Sequence, residues 1–181
     1  ELLEQGYSAY KDIECVPAWL FCRYSGSSPS YNSNCATGRG YGSKEVVIEG
    51  KLNSLLHVED YAFYYFAGKI TWSADTPNLK EVGLCAFCYA SNAASTVTFE
   101  TPMTSLETIG DSAFSKFKGE IAFNAPFPKL KEVGERAFYD APNAASTVVL
   151  DNAPLLETIG KFAFYLFQSN VQLVGEFPRL S

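Results

Sequence analysis

Few residues in this chain have the types and spacing that chemistry requires. Cys85-Ala86-Phe87-Cys88 is a C-x-x-C, the spacing of a redox dithiol at a helix start or of half a zinc site. A zinc site needs further ligands, yet there is no second C-x-x-C and His57 is the only histidine. The pair therefore reads as structural cysteines rather than as redox or metal chemistry. Any Ser-His-Asp or Cys-His arrangement would have to use His57, which stands beside Leu56 and reads as an ordinary surface histidine. Gly38-Arg39-Gly40-Tyr41-Gly42 is a flexible loop, since no Lys-Ser or Lys-Thr follows it to complete a phosphate cradle. Glu81, Glu107, Glu132 and Glu157 fall in two alternating phases and read as a solvated edge, not as a catalytic pair. These residues point to no enzyme, no cofactor and no metal.

The elements that would hold them are repeats. Leu106 to Phe114 reads L-x-x-I-G-x-x-A-F, and Leu79 to Phe87, Leu130 to Phe138 and Leu156 to Phe164 are further copies. Leu55 to Phe63 is a looser one. Between them lie short apolar triplets: Val46–Ile48, Ile70–Trp72, Val97–Phe99, Ile121–Phe123, Val148–Leu150 and Val171–Leu173. Their outer residues are apolar and the middle one varies, the period-2 pattern of a strand with one buried face.

From each motif Phe to the last apolar residue of the next triplet the distances are 9, 12, 9, 12 and 9 residues. Coils of about 24 and 27 residues thus alternate, and self-similarity is strongest at 51. Ser91 to Val97 returns as Pro142 to Val148. Three residues past the motif Phe, short coils carry Phe66, Phe117 and Phe167, and long coils carry Ala90 and Ala141. The alternation suggests a duplicated two-coil unit. One coil cannot bury its own apolar residues, but stacked coils bury them in ladders, each large side chain contributing roughly 1.5–3 kcal/mol. Gly83, Gly110, Gly134 and Gly160 stand where a tight turn is expected to need positive φ. Glu59 takes that place in the first coil, so its turn is expected to differ.

These residues resemble the BspA-type leucine-rich repeat family, with L-x-x-I-G-x-x-A-F followed by a strand, over roughly residues 46–173. The resemblance implies an α/β-type right-handed solenoid with short parallel strands on the concave face and irregular or short helical turns outside. It also implies a secreted or surface-exposed protein of bacteria or protists that binds other proteins, often in adhesion. That family often has Cys three residues past the motif Phe, where this chain has Phe or Ala.

Residues 1–45 do not fit the repeat and read as an N-terminal cap. Cys15, Cys22 and Cys35 lie there, a clustering that suits a disulfide-stapled cap in an oxidising compartment, with three pairings open. Residues 46–170 make five coils, and 171–181 begin a sixth with Leu180 at the motif Leu. That points either to a piece of a longer array or to an edge paired by self-association. The chain starts at Glu1 rather than Met, as a trimmed or mature fragment would.

Composition narrows the partner. The net charge is −6, and only 14 Lys plus Arg are scattered singly, so no basic stripe meets a phosphate backbone and nucleic acid is a poor partner. No apolar run reaches the roughly 18 residues of a membrane helix. The expected ligand is a protein of a host or of a cell envelope. The binding strip would be the strand centres Val47, Thr71, Thr98, Ala122, Val149 and Gln172, flanked by Ser73, Glu100, Asn124 and Asp151. Tyr64, Tyr139 and Tyr165 share one phase and could form an exposed column, though covering the Phe ladder is the commoner role for such rings. The reading is an extracellular or cell-surface recognition or adhesion module without catalysis. A structural spacer or surface scaffold is the alternative, and a carbohydrate-binding module a third.

Overall fold

A computed structural model describes residues 45–99 and 101–181, with the main chain of residues 15–16. Glu100, Cys22, Cys35 and the rest of the expected cap lie outside the described residues. Short strands follow one another in two alternating sets. One set comprises β1 (Cys15–Val16), β3 (His57–Val58), β5 (Glu81–Val82), β7 (Thr108–Ile109), β9 (Glu132–Val133) and β11 (Thr158–Ile159). The other comprises β2 (Val46–Ile48), β4 (Ile70–Trp72), β6 (Thr96–Phe99), β8 (Glu120–Phe123), β10 (Thr147–Asp151) and β12 (Asn170–Val174). Each set forms a parallel six-stranded sheet in chain order. The chain is a β-solenoid whose coils each add one strand to both sheets.

Two expectations are corrected here. Among the described residues there is no helix, so the α/β and helical-turn reading does not hold. The two-residue strands at the third and fourth motif positions make a second sheet, where the sequence pattern predicts one strand per coil. The backbone hydrogen bonds explain why. Around the motif Phe, Cys85, Phe87 and Tyr89 donate N–H groups to Asp111, Ala113 and Ser115 of the next coil at 2.7–2.9 Å. The intervening Ala86, Cys88 and Ala90 donate three residues back within their own coil, at 3.1–3.3 Å. A helix would keep every one of these donors to itself, whereas here half of them tie coil to coil.

The alternation needs left-handed residues. Positive φ falls two residues before and two after the motif Phe, at Tyr61 and Tyr65, Cys85 and Tyr89, Ser112 and Lys116, Arg136 and Asp140, Phe162 and Leu166. None of these is glycine. Such a conformation costs an ordinary residue about 1–2 kcal/mol. It persists because each strained N–H from Tyr61 to Asp140 meets a carbonyl of the next coil at 2.8–3.1 Å.

The motif glycines do a different job from the one their place in a turn suggests. Gly83, Gly110, Gly134 and Gly160 do not have positive φ. They are glycine because a Cβ on Gly110 would lie 2.8 Å from the Gly83 carbonyl carbon, and one on Gly134 would lie 2.5 Å from the Asp111 nitrogen. The first coil turns in the same way despite Glu59. Tyr61 has φ 60°, and Ala62 N–H donates to the Glu59 carbonyl at 3.3 Å as Ala86 does to Gly83.

Side chains stack at the pitch the backbone sets. Phe63, Phe87, Phe114, Phe138 and Phe164 form one parallel ladder with centroids 4.8–5.3 Å apart and planes within 6°. Phe117 packs edge-on against both Phe114 and Phe87, at 6.1 and 6.2 Å, reaching across the coil where Ala90 leaves room. The 51-residue unit is also written in polar contacts. Ser95 and Ser146, both buried, accept from Ile70 N–H and Ile121 N–H at 3.0 Å. Asp60 and Asp111 accept from Leu84 N–H and Glu135 N–H at 2.7 Å.

Gly110→Ala is expected to cost about 1–3 kcal/mol, the range for forced overpacking. Asp140→Gly, which relieves a left-handed residue, is expected to stay within about 0.5 kcal/mol of the parent or to exceed it. Urea unfolding of both variants checks the contrast, and similar losses in the two would refute this account of the glycine.

Candidate functional site

The solenoid offers three surfaces: the outer side of each sheet and the ridge formed by the motif turns. In the sheet of β2 to β12 the outer apolar residues of the first five triplets are buried, so the centres between them face outward. Val47, Thr71, Thr98 and Val149 are half-exposed, Gln172 is exposed, and Ala122 is shaded by its neighbours. They do not form one straight column. Val47 pairs with Thr71, but Thr71 pairs with Thr96, not Thr98. Thr98 pairs with Ala122, and Ala122 with Thr147, not Val149. Val149 then pairs with Gln172. Each long coil enters its strand two residues out of the repeat's phase. A two-residue slip preserves which side chains face inward, so the core is unchanged while the outer strip steps sideways.

Thr71 is already engaged. Its hydroxyl donates to Glu45 Oε1 at 3.3 Å, and Lys69 Nζ reaches the same oxygen at 2.6 Å. That contact, with the charge of Lys69, holds the Glu45 carboxyl below its ordinary range. Past this pair, the outward side chains of the sheet's central strands are mostly Thr, Ala and Val.

The outer side of the β3 to β11 sheet is different in kind. Lys80, Glu107, Lys131 and Glu157 stand one residue before their strands, in successive coils and with alternating sign. Lys131 meets Glu107 at 2.6 Å and Arg179 meets Glu157 at 3.4 Å. On the adjacent column His57 Nδ1 lies 3.5 Å from Glu81. Of the solvated edge read from the sequence, Glu107 and Glu157 pair with cations of neighbouring coils, and Glu81 lies against His57.

The ridge holds the aromatic residues, and the expected column is broken. At the phase of Tyr64 the next two coils carry Cys88 and Ser115, both buried, so Tyr64 belongs to one cluster and Tyr139 with Tyr165 to another. Tyr65 and Tyr89 stack at 4.6 Å with planes 6° apart. Tyr64 meets both edge-on, and Lys116 Nζ caps the Tyr89 ring at 5.4 Å. Burial first, then the neighbouring Tyr65 and the two cysteines, push the Tyr64 hydroxyl up. Tyr139 and Tyr165 stack at 5.7 Å, and Arg136 and Lys161 lie over Phe162 at 5.5 and 5.0 Å. Tyr89, Lys116, Arg136 and Phe162 escape the sequence reading. Their signal was the left-handed turn positions, which no residue type marks. At the C-terminal end Phe162, Tyr165, Leu166, Leu173 and Val174 are exposed on the last coil and β12.

Among the described residues no three His, Cys, Asp or Glu are grouped to hold a metal ion, and no helix is long and apolar enough to cross a membrane. Of the expected disulfide cysteines only the Cys15 backbone is described, within β1.

Coils that add one strand to each of two parallel sheets around Leu, Ile or Val and Phe ladders define a leucine-rich-repeat-type β-solenoid. Residues 56–174 match the BspA type leucine rich repeat region in six copies, and the chain belongs to that family. The family is typically surface-associated and points to protein interaction. No curated protein and no solved structure matches the chain.

The ion-pair edge yields a pH prediction. A hydrogen bond from Lys131, then its charge, holds Glu107 below its ordinary pKa of 4.5. A lowered folded-state value stabilises the fold above pH 4.5 and loses that contribution as the pH falls through it. Lys131→Met is expected to move the Glu107 titration up toward 4.5 by NMR, and the stability gap between variant and parent is expected to vanish in acid. An unmoved titration would mean that the pair is not populated in solution.

Proposed function

We propose that this chain is a non-catalytic recognition module of the cell surface or the extracellular space, binding a protein ligand through the outer side of the β2 to β12 sheet. The observation that carries the reading is the contrast between the two sheets. On the β3 to β11 face Glu107 and Glu157 are engaged by Lys131 and Arg179 in exposed ion pairs, each worth at most about 1 kcal/mol. The central strands of the other sheet present Thr96, Thr98, Ala122, Thr147 and Val149, short residues that form a low surface with Glu120 and Asp151 at strand ends. Such a surface loses little side-chain entropy when covered. An adhesion role, with a host or envelope protein as ligand, fits a surface-associated family.

A structural spacer or surface scaffold is the second reading. Sugar binding on the ridge has less support, since the Tyr65 and Tyr89 faces are occupied by each other and by Lys116.

Thr98→Lys with Val149→Lys, in a chain that keeps its folded circular dichroism, is expected to weaken binding to matrix or envelope protein by 10-fold or more. Glu132→Lys with Thr158→Lys on the opposite sheet is expected to leave it unchanged. Equal effects of the two pairs would move recognition off this face. Retention only on a glycan array would favour the sugar reading.

A further inference from the structure

We propose that Cys85 and Cys88 form a thiol–disulfide exchange site, which a low-molecular-weight disulfide converts to a disulfide between the two. The residues are the first and fourth of one tight turn, in which Cys88 N–H donates to the Cys85 carbonyl at 3.1 Å. The same turn recurs in the other coils, from Tyr64 to Tyr61, Ser115 to Ser112, Tyr139 to Arg136 and Tyr165 to Phe162, at 3.0–3.1 Å. Where both ends carry rings, the rings touch: Tyr61 and Tyr64 at 5.4 Å, Phe162 and Tyr165 at 5.7 Å. The turn therefore faces its first side chain to its fourth. A four-residue turn brings its end Cα atoms within about 7 Å, close to the upper span of a disulfide. In the second coil the two facing side chains are thiols, and both are free.

Their environments divide the labour. Cys88 is fully buried, while Cys85 is half-buried and reachable. The neighbouring Cys88 thiol and the Ser112 hydroxyl both favour the Cys85 thiolate. Together they hold Cys85 below the ordinary thiol range in spite of burial and of Asp60 and Asp111. Burial, then the contact with Cys85, pushes Cys88 up. Cys85 is thus the attacking thiolate and Cys88 the resolving thiol.

The exchange balances without any other reactant. Cys85, having released its proton to water, attacks one sulfur of RSSR; that S–S bond breaks, and the RS⁻ released takes a proton from water. Cys88 then gives its proton to water and attacks Cys85 Sγ. The mixed disulfide breaks, and the second RS⁻ is protonated in turn. Two protein thiols and one small disulfide become one protein disulfide and two small thiols, and an excess of small thiol reverses the step. Cys88 is screened from the small disulfide by burial, so it enters only through Cys85.

The experiment uses the folded chain, equilibrated with oxidised glutathione, alkylated and digested with trypsin. Both cysteines fall in the peptide spanning residues 81–116, between the cleavage sites at Lys80 and Lys116. The expected product is that peptide lighter by two hydrogens, free of alkyl label and of glutathione, and restored by dithiothreitol. In Cys88→Ser, glutathione is expected to remain on Cys85. In Cys85→Ser, Cys88 is expected to react at least 10-fold more slowly. Glutathione retained on Cys85 in the unaltered chain, two alkylated cysteines at equilibrium, or equal rates in the two variants would overturn the proposal. These outcomes do not depend on which face binds a protein ligand.

Discussion

Backbone contact between successive coils at the motif glycine is the constraint on which the rest depends. Any side chain at Gly83, Gly110, Gly134 or Gly160 would meet main-chain atoms of the coil before it. Keeping those backbones touching fixes the spacing at which the turn N–H groups reach the next coil and at which the Phe ladder stacks. Stacked phenyl rings about 5 Å apart and parallel strands about 4.8 Å apart are compatible repeats, so backbone and side-chain order reinforce each other. The strain at the left-handed residues is tolerable because the ladder leaves them no alternative partner.

The division of surfaces follows from the same geometry. A residue type repeated at one phase meets itself across the pitch, so like charges in one column repel and alternating charges attract. The Lys80, Glu107, Lys131 and Glu157 column takes the second course. Side chains that find partners in the neighbouring coil are poor partners for anything else. Columns with little to say to each other are left unengaged, and short residues in the centre of a sheet meet that description.

Much of this was legible in the residues. The five Leu-to-Phe stretches, the triplets and the 24-and-27 alternation predict stacked coils and most of the buried core, because apolar periodicity is a direct record of which face is covered; the further ladder of Leu52, Met103, Phe127 and Ala153 was not read. The two-residue strands at Glu81–Val82 and its equivalents were hidden, since two residues are too few to show a period. The glycines were misread because a turn position and a close-approach position ask for the same residue. The left-handed places were invisible because Tyr, Arg, Lys and Asp fill them without preference. The strand centres offered as a binding strip face outward apart from the shaded Ala122, yet do not align, because residue spacing within a coil does not reveal where a longer loop delivers its strand. Ser95 and Ser146, buried at the entry to the displaced strands, were the only hint.

That displacement has a geometric consequence. Two residues of strand measure about 6.6 Å, and the two long coils shift the sheet in the same direction, by about 13 Å in all between β2 and β12. The sheet of β3 to β11 shows no comparable drift, since its strands pair at the same motif positions throughout. One flank of the solenoid runs straight while the other is sheared. A ligand lying on the sheared flank would meet equivalent residues along a diagonal, so an extended partner would have to cross the coils obliquely. The 51-residue unit thereby gives the surface a heading as well as a period.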